Sequence, residues 1–138
     1  MNQLRSSRRL EAECVRNLEV IEKRGLVARV KTDIGPYFQR RLRETFADHP
    51  LVGEVRGIGL LAAIELVSNK PRREFFPKNS DVGTRCRNYC FNSGLVSRAI
   101  RDTMVLAPPF IISESEVEEI IAKLKAAIDN TARDFGKM

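Results

Sequence analysis

Apolar residues along this chain return at helical spacing in some stretches and bunch into short blocks in others. Leu10, Cys14, Leu18 and Ile21 recur every three or four positions, which predicts an amphipathic helix with that face buried, stopping at Gly25. Val27, Val30, Ile34, Tyr37, Phe38, Leu42 and Phe46 predict a second helical stretch. Gly35-Pro36 should start or kink a helix near its middle, and His49-Pro50 should end it. From Val52 to Val67 the pattern becomes an apolar block, which predicts a mostly buried strand paired with a shorter piece.

Asn69 to Asn79, with Pro71, Pro77 and four basic residues, reads as an exposed loop whose Phe75 and Phe76 tuck back onto the core. Ser80 or Asp81 is placed to cap a helix in which Val82, Cys86, Tyr89 and Cys90 share a face, with Gly94 as its C-terminal cap. Leu95–Ala99 and Thr103–Ala107 predict two short strands joined by a turn at Ile100-Arg101-Asp102. Ser113 and Glu116 form a capping box opening a last helix, whose buried stripe is Val117, Ile120, Ile121, Leu124, Ile128 and Phe135. The sum is an α+β fold: a small, largely antiparallel sheet with helices packed on one face.

A length of 138 residues suits one domain, and 43% hydrophobic with 30% charged residues describes a folding chain rather than a disordered one. No apolar run approaches the roughly 20 residues that span a bilayer. The N-terminus also lacks the apolar core of a secretory signal, so the expected location is cytoplasmic. The odd set Cys14, Cys86 and Cys90 reads as reduced, half-buried core thiols and not as a metal site. The net charge of +6 is concentrated between Met1 and Arg43. A basic face can attract nucleic acid, but these charges alternate with apolar residues at helical spacing, which favours a solvated outer face.

Candidate chemistry is sparse. His49, the only histidine, precedes a proline, with no nucleophile elbow to serve. Gly57-Ile58-Gly59 lies in an apolar strand, where glycine allows a bulge or close packing, and does not open a helix as a phosphate loop would. Glu114, Glu116, Glu118 and Glu119 crowd a helix start, where the dipole favours them. All the lysines fall on polar faces or in loops, so none is placed for Schiff-base work. No catalytic or metal-ligating residue emerges. Two arginines interrupt apolar stretches, Arg56 and Arg98. A guanidinium fork beside a core implies either a paired acid or an anionic ligand. The ion pair is the favoured reading for Arg56, while Arg98 stays open between the two.

Three ordered blocks resemble a known family. Asn17–Glu22 with Gly25-Leu26-Val27 resembles the helix entering the small domain of class III, pyridoxal-phosphate-dependent aminotransferases. Leu51–Leu66 resembles that family's V-R-G-x-G-L block, and Ala107–Ile112 its A-P-P-L-x-I signature. The wording is most similar to the omega-amino acid:pyruvate or amine:pyruvate branch. The resemblance covers residues 16–138 and leaves 1–15 unmatched, identifying 16–138 with the family's C-terminal small domain. It implies a homodimeric enzyme that moves an amino group from an amine or omega-amino acid to a keto acid such as pyruvate. It also implies that Arg98 matches an arginine which binds the substrate carboxylate. An arginine that the ornithine and 4-aminobutyrate branch places just before A-P-P is replaced by Val105-Leu106, against those specificities. The family's cofactor lysine and phosphate loop precede the resembled segment, so the expectation for this chain alone is no bound cofactor and no turnover. The rival reading is a non-enzymatic module binding an acidic partner or nucleic acid.

Overall fold

The structure is a computed structural model that describes residues 2–138, with side chains from Glu11 onward. Helix α1 (Asn2–Lys23) leads into a short α2 (Leu26–Arg29), a π-helical turn (Val30–Ile34) and α3 (Gly35–Phe46). Strands β1 (Val52–Ile58) and β2 (Leu61–Leu66), helix α4 (Val82–Asn92), strands β3 (Arg98–Ile100) and β4 (Thr103–Leu106), and helix α5 (Glu114–Asp134) complete the order. The four strands form one antiparallel sheet in the order β1-β2-β4-β3. On one face Ala62, Ile64, Leu66, Met104 and Leu106 are buried, and α3, α4 and α5 pack over them. The expected α+β sandwich is therefore the observed one.

Several local expectations change. Within Val52–Val67 the expected strand and its shorter partner are the hairpin β1–β2, reversed where Gly59 takes φ +56°, a left-handed turn that glycine adopts without a Cβ penalty, but β1 is largely exposed and not mostly buried. Gly57 does need its bare backbone: a Cβ there would lie 2.2 Å from the Leu61 carbonyl oxygen. Of the start or kink expected at Gly35-Pro36 it is the start that forms: α3 begins at Gly35 with the proline in its first turn, after a π-helical turn ending at Ile34. Asp81 precedes α4 in the left-handed region with no side-chain cap, whereas the capping box of Ser113 and Glu116 forms as read. Gly94 closes α4 at φ +77°, with the Leu95 N–H donating to the Cys90 carbonyl. Phe76 packs edge-on against Phe135 at 5.2 Å, but Phe75 stays exposed.

The largest departure concerns α1. Of its expected buried face Cys14 and Leu18 are exposed, as are Val15 and Val20, and Ile21 is partly buried; among the described residues α1 packs chiefly against α2. Leu10 lies outside the described side chains. Cys86 and Cys90 are fully buried, so none of the three thiols is half-buried.

The connection from α3 to β1 is fastened by a buried imidazole. His49 Nδ1 accepts from the Leu51 N–H (3.1 Å), which places its proton on Nε2, 3.0 Å from Asp129 Oδ1; Lys125 donates to the other carboxylate oxygen at 2.7 Å. Lys70 donates to the carbonyls of Ala47 and His49. Burial pushes the His49 pKa down, against the opposing pull of Asp129. The folded chain thus takes up its proton at a lower pH than the unfolded chain, which titrates near 6.5. As pH falls through that value the unfolded state takes up more protons, so stability is lost. Thermal melts at pH 7.5 and 5.5 should show a drop that His49→Asn, which keeps the acceptor for Leu51, largely removes.

Candidate functional site

The sheet's second face is not covered by any helix among the described residues. Strand pairing puts Arg56 opposite Ala63, Ala63 opposite Val105, and Val105 opposite Arg98. Directly opposed residues share a face, so the two arginines singled out in the sequence lie at opposite ends of one row on the open face. At about 4.8 Å per strand spacing, their Cα atoms are roughly 14 Å apart. The floor between them is made of two small apolar side chains.

The two guanidiniums have different surroundings. Arg56 Nη1 donates to Glu54 (2.9 Å) and Glu65 (3.3 Å), and these carboxylates, Glu65 foremost, hold it more firmly charged. That is the ion pair favoured for it. Arg98 is exposed and makes no hydrogen bond or ion pair among the described residues. Its fork is left available for a carboxylate, the anion whose planar pair of oxygens it matches.

Beside one end of this face runs an apolar groove of about 710 Å³, lined by Val27 and Val30, by the β1–β2 turn at Ile58–Leu61, and by Ala107, Pro108 and Phe110. Part of its wall comes from each of the three segments that were distinctive in the sequence, and the rest from Val30, Lys31, Pro36 and Gln39. Two polar side chains fix them together. Gln39, buried in α3, donates to the carbonyls of Gly59 and Leu61 at 3.0 and 3.1 Å. Arg29 reaches across to the carbonyls of Phe110 (2.8 Å) and Ile112 (2.7 Å). Neither was singled out from sequence. Gln39 could have been found, since it lies between Phe38 and Leu42 on the buried side of α3; nothing distinguishes Arg29 from a solvated charge.

Several cations of the basic N-terminal half are paired within the described residues. Arg41 is tied to Glu118 at 2.7 and 2.8 Å, and Glu118, which also accepts from Tyr37, is held down to about 2 by these donors, Arg41 first. Arg40 and Lys23 face Glu44 and Glu19, and Arg29 is spent on backbone carbonyls. Among the described residues no group of three or more His, Cys, Asp or Glu side chains is placed to hold a metal ion, and no helix is long and apolar enough to cross a membrane.

A cofactor held as a Schiff base needs a lysine whose charge is destabilised by burial or a neighbouring cation. None of the lysines here is buried. Lys123 and Lys125 are paired with Glu119 (2.6 Å) and Asp129 (2.7 Å), and Lys70 with two carbonyls. The residues present do not fit that attachment.

Comparison with known proteins points one way. The family model described as "Aminotransferase class-III" matches residues 11–128. The putrescine–pyruvate aminotransferase of Pseudomonas aeruginosa is 43% identical over 121 residues, covering 88% of this chain and 26% of that protein. The diaminobutyrate–2-oxoglutarate transaminase of Halomonas elongata is 37% identical over 115 residues, 82% of this chain and 24% of that protein. Among solved structures, a transaminase from ancestral reconstruction superposes with a TM-score of 0.83 at 45% identity, and an omega transaminase from Pseudomonas jessenii with 0.80 at 34%. These cover 86% and 87% of this chain and 26% of each of those chains. The chain thus spans about a quarter of the length of the relatives it matches.

Proposed function

Because the chain belongs to the class III aminotransferases, a pyridoxal-phosphate-dependent family, we propose that it is the substrate-recognition domain of an amine:pyruvate type enzyme. Residues 16–138 form that domain, and Arg98 on the open sheet face receives the carboxylate of the keto acid or omega-amino acid. One observation carries the reading: of the two arginines in the row, Arg56 is spent on Glu54 and Glu65, whereas Arg98 faces outward without an acid partner among the described residues. In the full reaction the cofactor carries the amino group from donor to acceptor. The residues of this chain do not supply its anchor, so the chain alone binds no cofactor at a defined lysine and turns nothing over. Its contribution is to orient the acceptor by its carboxylate. Homodimerisation, the family habit, belongs to the same proposal, as does a cytoplasmic location.

A hybrid tests this. Residues 11–128 replace the matching segment of the Pseudomonas aeruginosa aminotransferase, and the hybrid should transaminate pyruvate. The 138-residue chain alone, treated with pyridoxal phosphate and borohydride, should show no saturable adduct at a single lysine. A cofactor-loaded hybrid inert toward pyruvate, or a single-site adduct on the chain alone, overturns the assignment.

A further inference from the structure

Helix α4 carries two buried thiols that the reading above does not use. Cys86 and Cys90 are one turn apart on its inward face, and both have no exposed surface. The two thiols are near enough to perturb one another, the Cys86 proton being held more tightly and the Cys90 proton more loosely. Two hydroxyls flank the pair. Thr131 of α5 stands beside Cys86 with its own proton given to the Ala127 carbonyl, and Ser97 stands beside Cys90. The Ser97 Oγ, on the residue preceding Arg98, is buried and has no hydrogen-bond partner among the described residues.

Helical geometry decides what such a pair can do. Residues four apart on a helix have Cβ atoms about 5–6 Å apart, whereas a disulfide needs about 3.5–4.5 Å. Direct oxidation would therefore have to unwind a turn of α4. A single atom inserted between the sulfurs supplies the missing length without disturbing the helix. Soft thiolate donors prefer soft, thiophilic centres.

We propose that Cys86 and Cys90 form a buried two-thiol site for a trivalent arsenical, whose arsenic bridges both sulfurs beneath β3. The step is a condensation without redox change: two S–H bonds and the bonds from arsenic to its oxide oxygen break, two As–S bonds form, and both thiol protons leave on that oxygen as water. An open groove of about 360 Å³, lined in part by Gly94 and Leu95, lies at the C-terminal end of α4, the end nearer Cys90. Occupancy enlarges the contents of the core next to Ser97 and so displaces the strand that carries Arg98. The site stands independently of the aminotransferase assignment.

The probe is phenylarsine oxide, added to the full chain carrying Cys14→Ser to remove the exposed thiol. Native mass spectrometry should show one arsenical per chain with far-UV circular dichroism retained. Because neither thiol is exposed in the folded chain, iodoacetamide is added after unfolding in urea, where the adduct should keep both cysteines unlabelled, and 2,3-dimercaptopropanol should release it where an equal amount of a monothiol does not. Losing either thiol removes the chelate, so Cys86→Ala and Cys90→Ala should each weaken binding about 10²- to 10⁴-fold. Unchanged affinity in either variant overturns the proposal. The protection experiment keeps the test intact should a variant unfold: after arsenical treatment and urea unfolding, labelling of either cysteine as fully as in the untreated chain, or binding only with loss of helical signal, also overturns it.

Discussion

Phe38→Ala will remove about 4 kcal/mol of folding stability, the usual cost of deleting a buried aromatic ring and leaving its cavity. Phe38 has no exposed surface and sits in α3 at the centre of the core cluster, with Leu42 and Phe46 on the same stripe and the sheet beneath. A domain of this size has about 5–15 kcal/mol in total. With a urea slope near 2 kcal/mol/M, the midpoint should fall by about 2 M. Phe75 is the control. It is the same residue type at 61% exposure, and Phe75→Ala should change stability by less than about 0.5 kcal/mol. Equal shifts for the two variants would contradict the placement of α3 over the sheet.

That contrast also marks what could be read from the chain. The buried stripes of α3 and α5, the capping box at Ser113 and the turn between β3 and β4 depend on residues close in sequence, and all were legible. Leu60 shows where legibility ends. It is buried within the turn of the β1–β2 hairpin, so the apolar run continues unbroken through a reversal that only the left-handed Gly59 marks. The exposed apolar face of α1 failed for another reason. Periodicity reports that a face is suited to burial, but not whether a partner lies over it.

The candidate site was half legible. Arg56 and Arg98 were singled out because each breaks an apolar stretch, yet their membership of one row follows from strand pairings that join residues around 60 to others beyond 100. Register of that kind depends on which strands become neighbours, and no local pattern encodes it. The acids that separate the two arginines were equally hidden. Glu54 is two residues from Arg56 and reads as an ordinary alternating charge, while Glu65 arrives only through the antiparallel partner strand.

The account stands or falls on Arg98 as the carboxylate receptor. The decisive measurement is the ratio of kcat/KM for pyruvate to kcat/KM for an aryl ketone acceptor without a carboxylate, made in the hybrid and its variants. Losing one partner of a desolvated, hydrogen-bonded charge pair costs about 2–4 kcal/mol, or roughly 30- to 1,000-fold. Arg98→Leu should therefore lower the ratio by that factor, through pyruvate alone, while the ketone reaction is unchanged or faster. Arg56→Leu, which removes a guanidinium already satisfied by Glu54 and Glu65, should leave the ratio within about threefold. A folded, cofactor-loaded Arg98→Leu hybrid with the parent's ratio would contradict the account.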